Sequence, residues 1–303
     1  KGYYTCAEAP ISGDLAALIA SAATTQQAAV ISIGRQAGEG ADRSSGKGDY
    51  LLGDDEHALI DAVSSAFHAQ GKKVVVVLNV NGVIDTAQWS DKVDGILLAY
   101  MAGQETGHAV ADVLSGTVNP SGKLAQSFPQ SYASVPSATT FPGEDTDGDG
   151  ALDDLYYNEG IYVGYRYYST FDQAVSYPFG FGLSYATFAI HGVNVAKTGA
   201  NTAHVTATVT NTSDVDAAET VQVYVAPGKA AVARPKHELK GFRKVFLKAG
   251  ESAEISFDLD ERAFAYWSEK FNDWHVEAGE YTVEVGTSSR DIAAVAVVTL
   301  DGD

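Results

Sequence analysis

The chain has 303 residues, of which 45% are hydrophobic and 19% charged, so it can form two globular domains with sizeable cores. Asp and Glu total 39 against 20 Lys and Arg, a formal net charge of −19, which argues against nucleic-acid and membrane-surface partners because both are anionic. No run approaches the ~18 apolar residues of a transmembrane helix.

Cys6 is the only cysteine, so an internal disulfide is excluded. The absence of a disulfide does not identify the compartment, since many secreted bacterial proteins lack disulfides. We expect a periplasmic or extracellular, bacterial-type location. Lys1 opens the chain and Met101 is its only methionine, so we expect a trimmed product, a processed product or a fragment. Residues 1–11 contain no apolar core long enough for a signal peptide.

Helical and strand periodicities alternate over the first ~170 residues. Residues 14–23 predict a helix with Leu15, Leu18 and Ile19 on its apolar face, and 28–33 predict a buried strand. The elements predicted next are a helix over 54–70 capped by Asp54 or Asp55, a strand over 73–78, a short helix over 83–89, a strand over 93–100 and a helix over 105–114. This alternation indicates right-handed βαβ units and a largely parallel sheet covered by helices.

The second half of the chain changes character. After Phe188 the sequence has only strand-like segments, at 203–211, 219–226, 237–246, 253–259, 279–286 and 292–300. Short strands separated by turn signals at this spacing predict an antiparallel β-sandwich. The boundary falls near the aromatic, glycine-rich segment 177–185, which divides the chain into an α/β domain at 1–185 and an all-β domain at 186–303.

The segment from Gly38 to Arg43 follows a predicted parallel strand, and ligand crevices of α/β sheets open at that carboxyl edge. Glycines on both sides of Glu39 let the backbone present its carboxylate outward, which suits general acid/base chemistry. Asp42 and Arg43 could order the loop. From these residues alone, an ordinary solvated acidic loop is the competing interpretation, because glycine-rich loops are common.

Several longer motifs follow one another along the chain. They are ISIGRQAGEGADR at 31–43, LLGDDEHALIDAV at 51–63, VVVVLNVNGVIDTAQW at 74–89, VDGILLAYMAGQETGHAVADVLSGTVNPSGKLAQSFP at 93–129, YNEGIYVGYRYY at 157–168, YPFGFGLSY at 177–185, ELKGFRKVFLKAGES at 238–252 and WHVEAGEYTVEVGTSSRDI at 274–292. Together they resemble the later part of glycoside hydrolase family 3, the β-glucosidase-type exo-hydrolases. The resemblance covers nearly the whole chain.

The resemblance implies retaining hydrolysis of terminal β-D-glucosyl residues by two carboxylates, a nucleophilic Asp on a (β/α)8 barrel and an acid/base Glu that is matched here by Glu39. In such sites the two carboxyl groups lie ~5–5.5 Å apart, and the nucleophile's charge helps to keep the Glu protonated. The chemistry needs no cofactor. The substrate implied is a β-glucoside or a β-glucan oligosaccharide, and homo-oligomerisation stays open.

No segment of this chain matches the barrel or its nucleophile, and the family's sandwich domain begins upstream of the helix at Asp14. The resemblance therefore implies a parallel-sheet α/β sandwich, truncated at its N-terminus, followed by an all-β fibronectin type III-like sandwich. A truncated parallel sheet exposes unpaired backbone and an apolar edge. We expect the chain to need the N-terminal barrel portion of the same enzyme as its partner, and to be inactive alone.

A second candidate site is the acidic run DTDGDGALD at 145–153. Carboxylates at positions 1, 3, 5 and 9, with glycine at position 6, match the front of an EF-hand-type calcium loop. These carboxylates are Asp145, Asp147, Asp149 and Asp153. Position 12 is Tyr156 instead of a bidentate Glu, which could weaken the site or move its last ligand to Asp154 or Glu159. The sequence predicts a structural calcium ion here, with a solvated acidic loop as the alternative.

Aromatic residues are the remaining candidates for sugar contacts. The cluster at 156–171 and the pair Trp267 and Trp274 could stack on sugars, but core and strand packing is the favoured interpretation. His57, His68 and His108 lack metal-ligand spacing and are interpreted as structural or exposed. Two rival functions remain, a non-catalytic carbohydrate-binding or scaffold fragment and an independent esterase-like hydrolase. Glu39 favours the enzyme over a binding module, which has no need of a carboxylate on a glycine-flanked loop.

Overall fold

The computed structural model of the protein describes residues 12–35 and 42–303. The chain divides into two compact units, Lys1–Thr117 with Phe128–Ser134, and Val118–Ser127 with Val135–Asp303. We call them the α/β unit and the β-rich unit. Within the described ranges, no helix combines the length and the apolar character that a bilayer span requires. The domain ranges 1–185 and 186–303 stay a prediction from the sequence.

A parallel sheet forms the centre of the α/β unit, as predicted. The helices of the unit are α1 (Gly13–Thr25), α2 (Asp54–His68) and α3 (Thr106–Ser115), and its strands are β1 (Ala28–Gly34), β2 (Lys73–Asn79), β3 (Gly95–Leu98) and β4 (Phe128–Pro129). The sheet has the order β1-β2-β3, and both pairings are parallel. The central strand β2 is the β-branched run KVVVVLN, whose side chains are largely buried, as expected of a strand covered on both faces.

Helix α1 confirms the predicted element but not its predicted face. The Ser12 side chain caps the helix by accepting a hydrogen bond from the Leu15 N–H at 3.3 Å. Ile19 and Ala23 are buried. Leu18 is 64% exposed, so its assignment to the apolar face is wrong. A leucine one residue before Ile19 points about 100° away around the helix.

Helix α2 begins differently from the prediction. The N-cap is Gly53 instead of Asp54 or Asp55. The Glu56 carboxylate, three residues into the helix, accepts a hydrogen bond from the Gly53 N–H at 2.8 Å. This bond satisfies a backbone donor at the helix start. Asp54 instead forms an exposed ion pair with Lys47 at 2.6 Å.

The helix predicted over 83–89 is absent. This stretch is irregular chain and a turn, followed by a short 3-10 helix at Ser90–Lys92. Its backbone bonds elsewhere: the Asp85 N–H donates to the Tyr50 carbonyl at 2.8 Å. The Asp85 carbonyl accepts a hydrogen bond from the Trp89 indole at 2.7 Å. Both backbone polar groups of Asp85 are therefore satisfied without helical hydrogen bonds, the N–H by a distant residue and the carbonyl by a side chain.

The β-rich unit is the predicted antiparallel sandwich. Its elements are α4 (Tyr165–Thr170), β5 (Val175–Tyr177), β6 (Phe188–Lys197), β7 (Ala203–Asn211), β8 (Ala217–Pro227), β9 (Glu238–Leu247), β10 (Ser252–Leu259), β11 (Tyr266–Ser268), β12 (Asp273–His275), β13 (Gly279–Gly286) and β14 (Ile292–Leu300). One sheet has the order β10-β7-β6 and the other β14-β13-β8-β9, while β11 and β12 form a separate hairpin. Helix α4 and strands β5, β6, β11 and β12 were not among the predicted segments.

Alternation along the strands builds the core of the sandwich. Every second residue of β7 is buried, which is the pattern of a strand with one face on the core. The core of the two sheets is rich in valine, including Val205, Val209, Val221, Val223 and Val283. β-Branched residues pack well on such a pleated, half-buried surface.

Candidate active-site edge and calcium loop

Glu39, the predicted acid/base, lies outside the described residues, as do its neighbours from 36 to 41. The structure describes both ends of this segment. Arg35 follows β1 directly and its N–H donates to the Asn79 carbonyl at the end of β2, at 3.1 Å. The segment therefore starts at the carboxyl edge of the parallel sheet, which is where the sequence predicts a ligand crevice.

Arg35 fixes the first end of the segment through a buried network. Its side chain is 5% exposed and pairs with Glu56 in a bidentate contact with both N–O distances at 2.7 Å. Its Nε donates to the Asp49 carbonyl at 2.8 Å. A buried, bidentate guanidinium–carboxylate pair is strong and directional, so the backbone position that leads into the segment is tightly held.

Arg43 fixes the second end. Its Nε donates to Asp49 Oδ1 at 2.6 Å, and one terminal nitrogen donates to the Val83 carbonyl at 2.7 Å. The Ser44 N–H donates to Asp49 Oδ2 at 2.6 Å. Asp49 thus bonds on both sides of 36–41, through its carbonyl to Arg35 and through its carboxylate to Arg43. Arg43, which the sequence suggests as a residue that orders the loop, thus has Asp49 and the Val83 carbonyl as partners.

Glycine makes room for this contact at Gly82. A Cβ at this position would lie 3.3 Å from the Arg43 guanidinium, which is tighter than ordinary van der Waals contact. The guanidinium can therefore approach the backbone after β2 because no side chain stands there.

Two carboxyl groups near this edge have shifted pKa values. Burial raises the pKa of Glu56, but hydrogen bonds from Arg35 and Gly53 outweigh burial, and the pKa ends below its usual value. Asp85 is 1% exposed, and burial raises its pKa even though backbone N–H groups bond to it. Its Oδ2 is buried without a hydrogen-bond partner among the described residues. Glu56 is therefore held ionised, whereas burial favours the neutral form of Asp85.

Sequence reasoning missed Asp49 and Glu56. The available signal was indirect: two arginines, Arg35 and Arg43, flank a glycine-rich loop, and an acidic helix start follows at Asp54. Arginines beside such a loop need anionic or carbonyl partners when they are buried. Which acidic groups supply them depends on how the chain folds back.

The acidic loop brings three of its four predicted calcium ligands together. Asp145, Asp147 and Asp149 each place one carboxylate oxygen within 4.8 Å of the others. Asp153 is engaged differently, since its Oδ2 accepts hydrogen bonds from the Thr146 N–H at 2.8 Å and hydroxyl at 2.7 Å. Oxygen ligands of this kind suit Ca²⁺. The calcium site remains a prediction, and Asp153 lies outside the group of three carboxylates that the structure brings together.

Calcium should raise the melting temperature of the protein, because three clustered carboxylates repel one another without a cation. At ~100 times the dissociation constant the stabilisation is about 2.7 kcal/mol, or roughly 5–11 °C at about 2–4 °C per kcal/mol. Asp147→Ala should abolish the rise, whereas Asp214→Ala, an exposed aspartate in a turn, should preserve it. Calorimetry with no heat and no thermal shift at millimolar calcium would remove the site.

The aromatic candidates pack mainly on protein. Tyr165 stacks on Phe179 with ring centroids 4.8 Å apart, and burial raises the pKa of Tyr168 to about 12. Trp267 and Trp274 face each other across the β11–β12 hairpin at 5.7 Å, and Arg262 lies over Trp274 at 3.5 Å. These contacts agree with the packing interpretation, although both tryptophans are about half exposed.

Comparison with known proteins reveals the origin of this architecture. Residues 13–185 match the glycosyl hydrolase family 3 C-terminal domain, and residues 219–289 match a fibronectin type III-like domain. An exo-alpha-(1->6)-L-arabinopyranosidase of Bifidobacterium longum is 63% identical over 81% of this chain and 31% of its own length. A thermostable beta-glucosidase B of Acetivibrio thermocellus is 44% identical over 84% of this chain and 32% of its own length.

Solved structures give the same result. A GH3 beta-glucosidase of Bifidobacterium adolescentis superposes with a TM-score of 0.89 at 61% identity, covering 97% of this chain and 42% of that chain. Beta-glucosidase 3B of Thermotoga neapolitana, in complex with glucose, superposes with a TM-score of 0.89 at 45% identity, covering 94% of this chain and 39% of that chain. The fold and these matches are those of glycoside hydrolases. The chain belongs to glycoside hydrolase family 3, and it spans about a third of the length of the curated relatives it matches.

Proposed function

We propose that the chain is the C-terminal portion of a retaining, exo-acting glycosidase, to which it supplies Glu39 as the general acid/base. The observation that carries the proposal is the double anchoring by Asp49 of the segment that contains Glu39, at distances of 2.6 and 2.8 Å. A catalytic carboxylate must be held in a defined position to transfer a proton. Anchored ends on a rigid sheet edge meet that need better than an unattached acidic loop would.

The proposed reaction has two proton transfers at Glu39. In the first step its carboxyl proton passes to the glycosidic oxygen as the bond to the leaving group breaks, and the nucleophilic carboxylate of the barrel portion bonds to the anomeric carbon. In the second step the Glu39 carboxylate takes a proton from water. The water oxygen bonds to the anomeric carbon, and the nucleophile leaves as a carboxylate.

The proposed substrate is a terminal β-D-glucosyl residue of a β-glucoside or β-glucan oligosaccharide. A terminal α-L-arabinopyranosyl residue is the second candidate, since two arabinopyranosidases are 63% and 65% identical to this chain. Both sugars carry an equatorial bond to the leaving group, so one arrangement of acid and nucleophile serves either. The choice depends on sugar-contacting residues that we assign to the barrel portion.

The proposed partner is the N-terminal (β/α)8-barrel portion of the same enzyme. It would supply the nucleophile, complete the sheet of the α/β unit and bind most of the sugar. A structural calcium ion in the acidic loop and a periplasmic or extracellular location are further parts of this proposal. Membership of a glycoside hydrolase family argues against the esterase alternative. The remaining rival is a non-catalytic fragment, and an activity assay distinguishes it from the glycosidase.

Complementation tests the proposal. The 303-residue chain alone should not hydrolyse nitrophenyl β-D-glucoside or nitrophenyl α-L-arabinopyranoside, because it lacks the proposed nucleophile. The barrel portion mixed or coexpressed with the chain should hydrolyse at least one of them. Turnover by the chain alone would contradict the division of the catalytic pair. A folded complex that turns over neither glycoside would favour the non-catalytic fragment.

A further inference from the structure

Three cationic side chains converge on one carboxylate in the β-rich unit. Glu238, at the start of β9, is contacted by Arg166 of α4 at 3.3 Å, by Arg234 at 3.6 Å and by Lys240 at 3.5 Å. The group therefore carries a formal charge of +2 within a chain whose net charge is −19. We call these residues the Glu238 cluster.

The contacts within the cluster are loose. Direct ammonium or guanidinium hydrogen bonds to carboxylates are normally about 2.7–2.9 Å long, and the Arg35–Glu56 pair of this protein reaches 2.7 Å. The Arg166 Nε is buried and makes no hydrogen bond among the described residues. Within the described part of the chain, a single carboxylate shared among three cations thus leaves the Arg166 Nε without a hydrogen bond and gives the Lys240 ammonium only one long contact, at 3.5 Å.

Two of the three cations are largely buried, so an incomplete counter-charge destabilises their charged forms. The side chain of Arg234 is 4% exposed and that of Lys240 is 17% exposed. Arg234 donates to the carbonyls of Phe264 and Ala265, which are neutral and do not balance its charge. Burial lowers the pKa of Lys240, and Arg234 and Arg166 lower it further, against the opposing effect of Glu238. Buried cations of this kind are normally paired.

Glu284, an acidic residue of the same unit, is already engaged by His237. The Glu284 carboxylate, on β13, contacts His237 Nδ1 at 2.5 Å, and His237 is almost fully buried. Lys236 is exposed and adds positive charge. Among the described residues, no second acidic side chain forms an ion pair with Arg166, Arg234 or Lys240.

We propose that the Glu238 cluster binds a second carboxylate, placed between Arg166 and Lys240. A planar guanidinium offers paired donors that match a carboxylate, and an ammonium adds a third donor and charge. The carboxylate comes from one of two sources, a small free carboxylic acid or an Asp or Glu side chain of the barrel portion. The carboxylate site itself does not depend on the glycosidase proposal, because it concerns charges within the β-rich unit; only the second source rests on the proposed barrel partner.

Acetate is the probe. At constant ionic strength, replacing chloride with acetate should raise the melting temperature of the 303-residue chain in a saturable way. Lys240→Met retains the aliphatic stem but removes the ammonium charge, which the shared Glu238 carboxylate only partly balances. The contacts of Glu238 with Arg166 and Arg234 remain. This variant should melt about 2–4 °C higher in chloride, corresponding to about 1 kcal/mol, and should not respond to acetate. Lys244→Met removes an exposed lysine of the same strand and should respond as the unmodified chain does.

The same exchange in the complex with the barrel portion identifies the source. A persisting acetate response identifies a free acid. Loss of the response, together with weaker binding of Lys240→Met to the barrel portion, identifies a protein side chain. The proposal is overturned if the chain alone does not respond to acetate, if Lys240→Met responds equally, or if that variant melts lower in chloride. Should the chain unfold without a clear transition, acylation of the Lys240 amine, followed by mass spectrometry, must be slower in acetate than in chloride while Lys244 reacts equally in both.

Discussion

Glu39→Ala, in the enzyme assembled with its barrel portion, should slow hydrolysis of glycosides with poor leaving groups by about 10²–10⁴-fold. Such leaving groups need a proton as the glycosidic bond breaks, and the proposed donor is gone. In aryl glycosides with good leaving groups, the leaving group departs without that proton. These substrates should therefore still glycosylate the nucleophile. Hydrolysis of the glycosyl-enzyme then limits turnover, because no base activates water.

Azide provides the matched test of the Glu39 assignment. As a small anion it attacks the glycosyl-enzyme without base assistance, so it should restore turnover of the aryl glycoside by the variant and form a glycosyl azide. Glu105→Ala, which removes an exposed glutamate at the start of α3, serves as the control and should behave as the unmodified enzyme. Near-normal turnover of an unactivated disaccharide by Glu39→Ala, without an azide effect, would move the acid role to another carboxylate.

Glu56→Ala should lower the free energy of unfolding by about 3–5 kcal/mol, the usual cost of removing one partner from a buried ion pair. The Arg35 guanidinium would keep its charge in a site where its side chain is 5% exposed. The first turn of α2 would also lose the carboxylate that accepts the Gly53 N–H. Denaturant unfolding of the assembled enzyme measures the loss, and Asp54→Ala, which breaks an exposed pair in the same turn, should change it far less.

The stability contributed by Glu56 should depend on pH in a defined direction. Its folded-state pKa lies below the ordinary value of 4.5, so its contribution is fully present above the pKa of the unfolded chain. It is lost as the pH falls through the folded pKa. The difference in stability between the unmodified enzyme and Glu56→Ala should therefore shrink as the pH is lowered below about 4. A difference that stays constant down to pH 2 would contradict the role of the ionised carboxylate.

Local periodicity was sufficient to predict most of the architecture. The apolar stripe of α2 predicts a helix because burial on one face repeats with the helical period. The continuous β-branched run of β2 predicts a strand that is covered on both faces. The acidic loop predicted to bind calcium was equally visible, since its four aspartates lie within nine residues. The flanking glycines and the position after a strand made Glu39 a candidate, and the family resemblance selected it as the predicted acid/base.

What the tertiary structure alone decided depends on contacts between distant parts of the chain. The segment 83–89 is not helical: the Asp85 carbonyl accepts the Trp89 indole N–H and the Asp85 N–H donates to the distant Tyr50 carbonyl. No pattern within the segment shows the Tyr50 partner. Asp49 joins both ends of the segment that contains Glu39 only because the chain folds back after Ser44.

The Glu238 cluster has the same origin. Arg166 and Glu238 are 72 positions apart in the sequence and meet only when α4 packs near β9. The sequence by itself determined the main helices and strands, the family and the candidate residues, because these follow from local patterns of the chain. The tertiary structure decided which charged groups have a partner of their own, which share one and which lack a full counter-charge. The reason is that Coulomb interactions depend on distance and burial and not on position along the sequence.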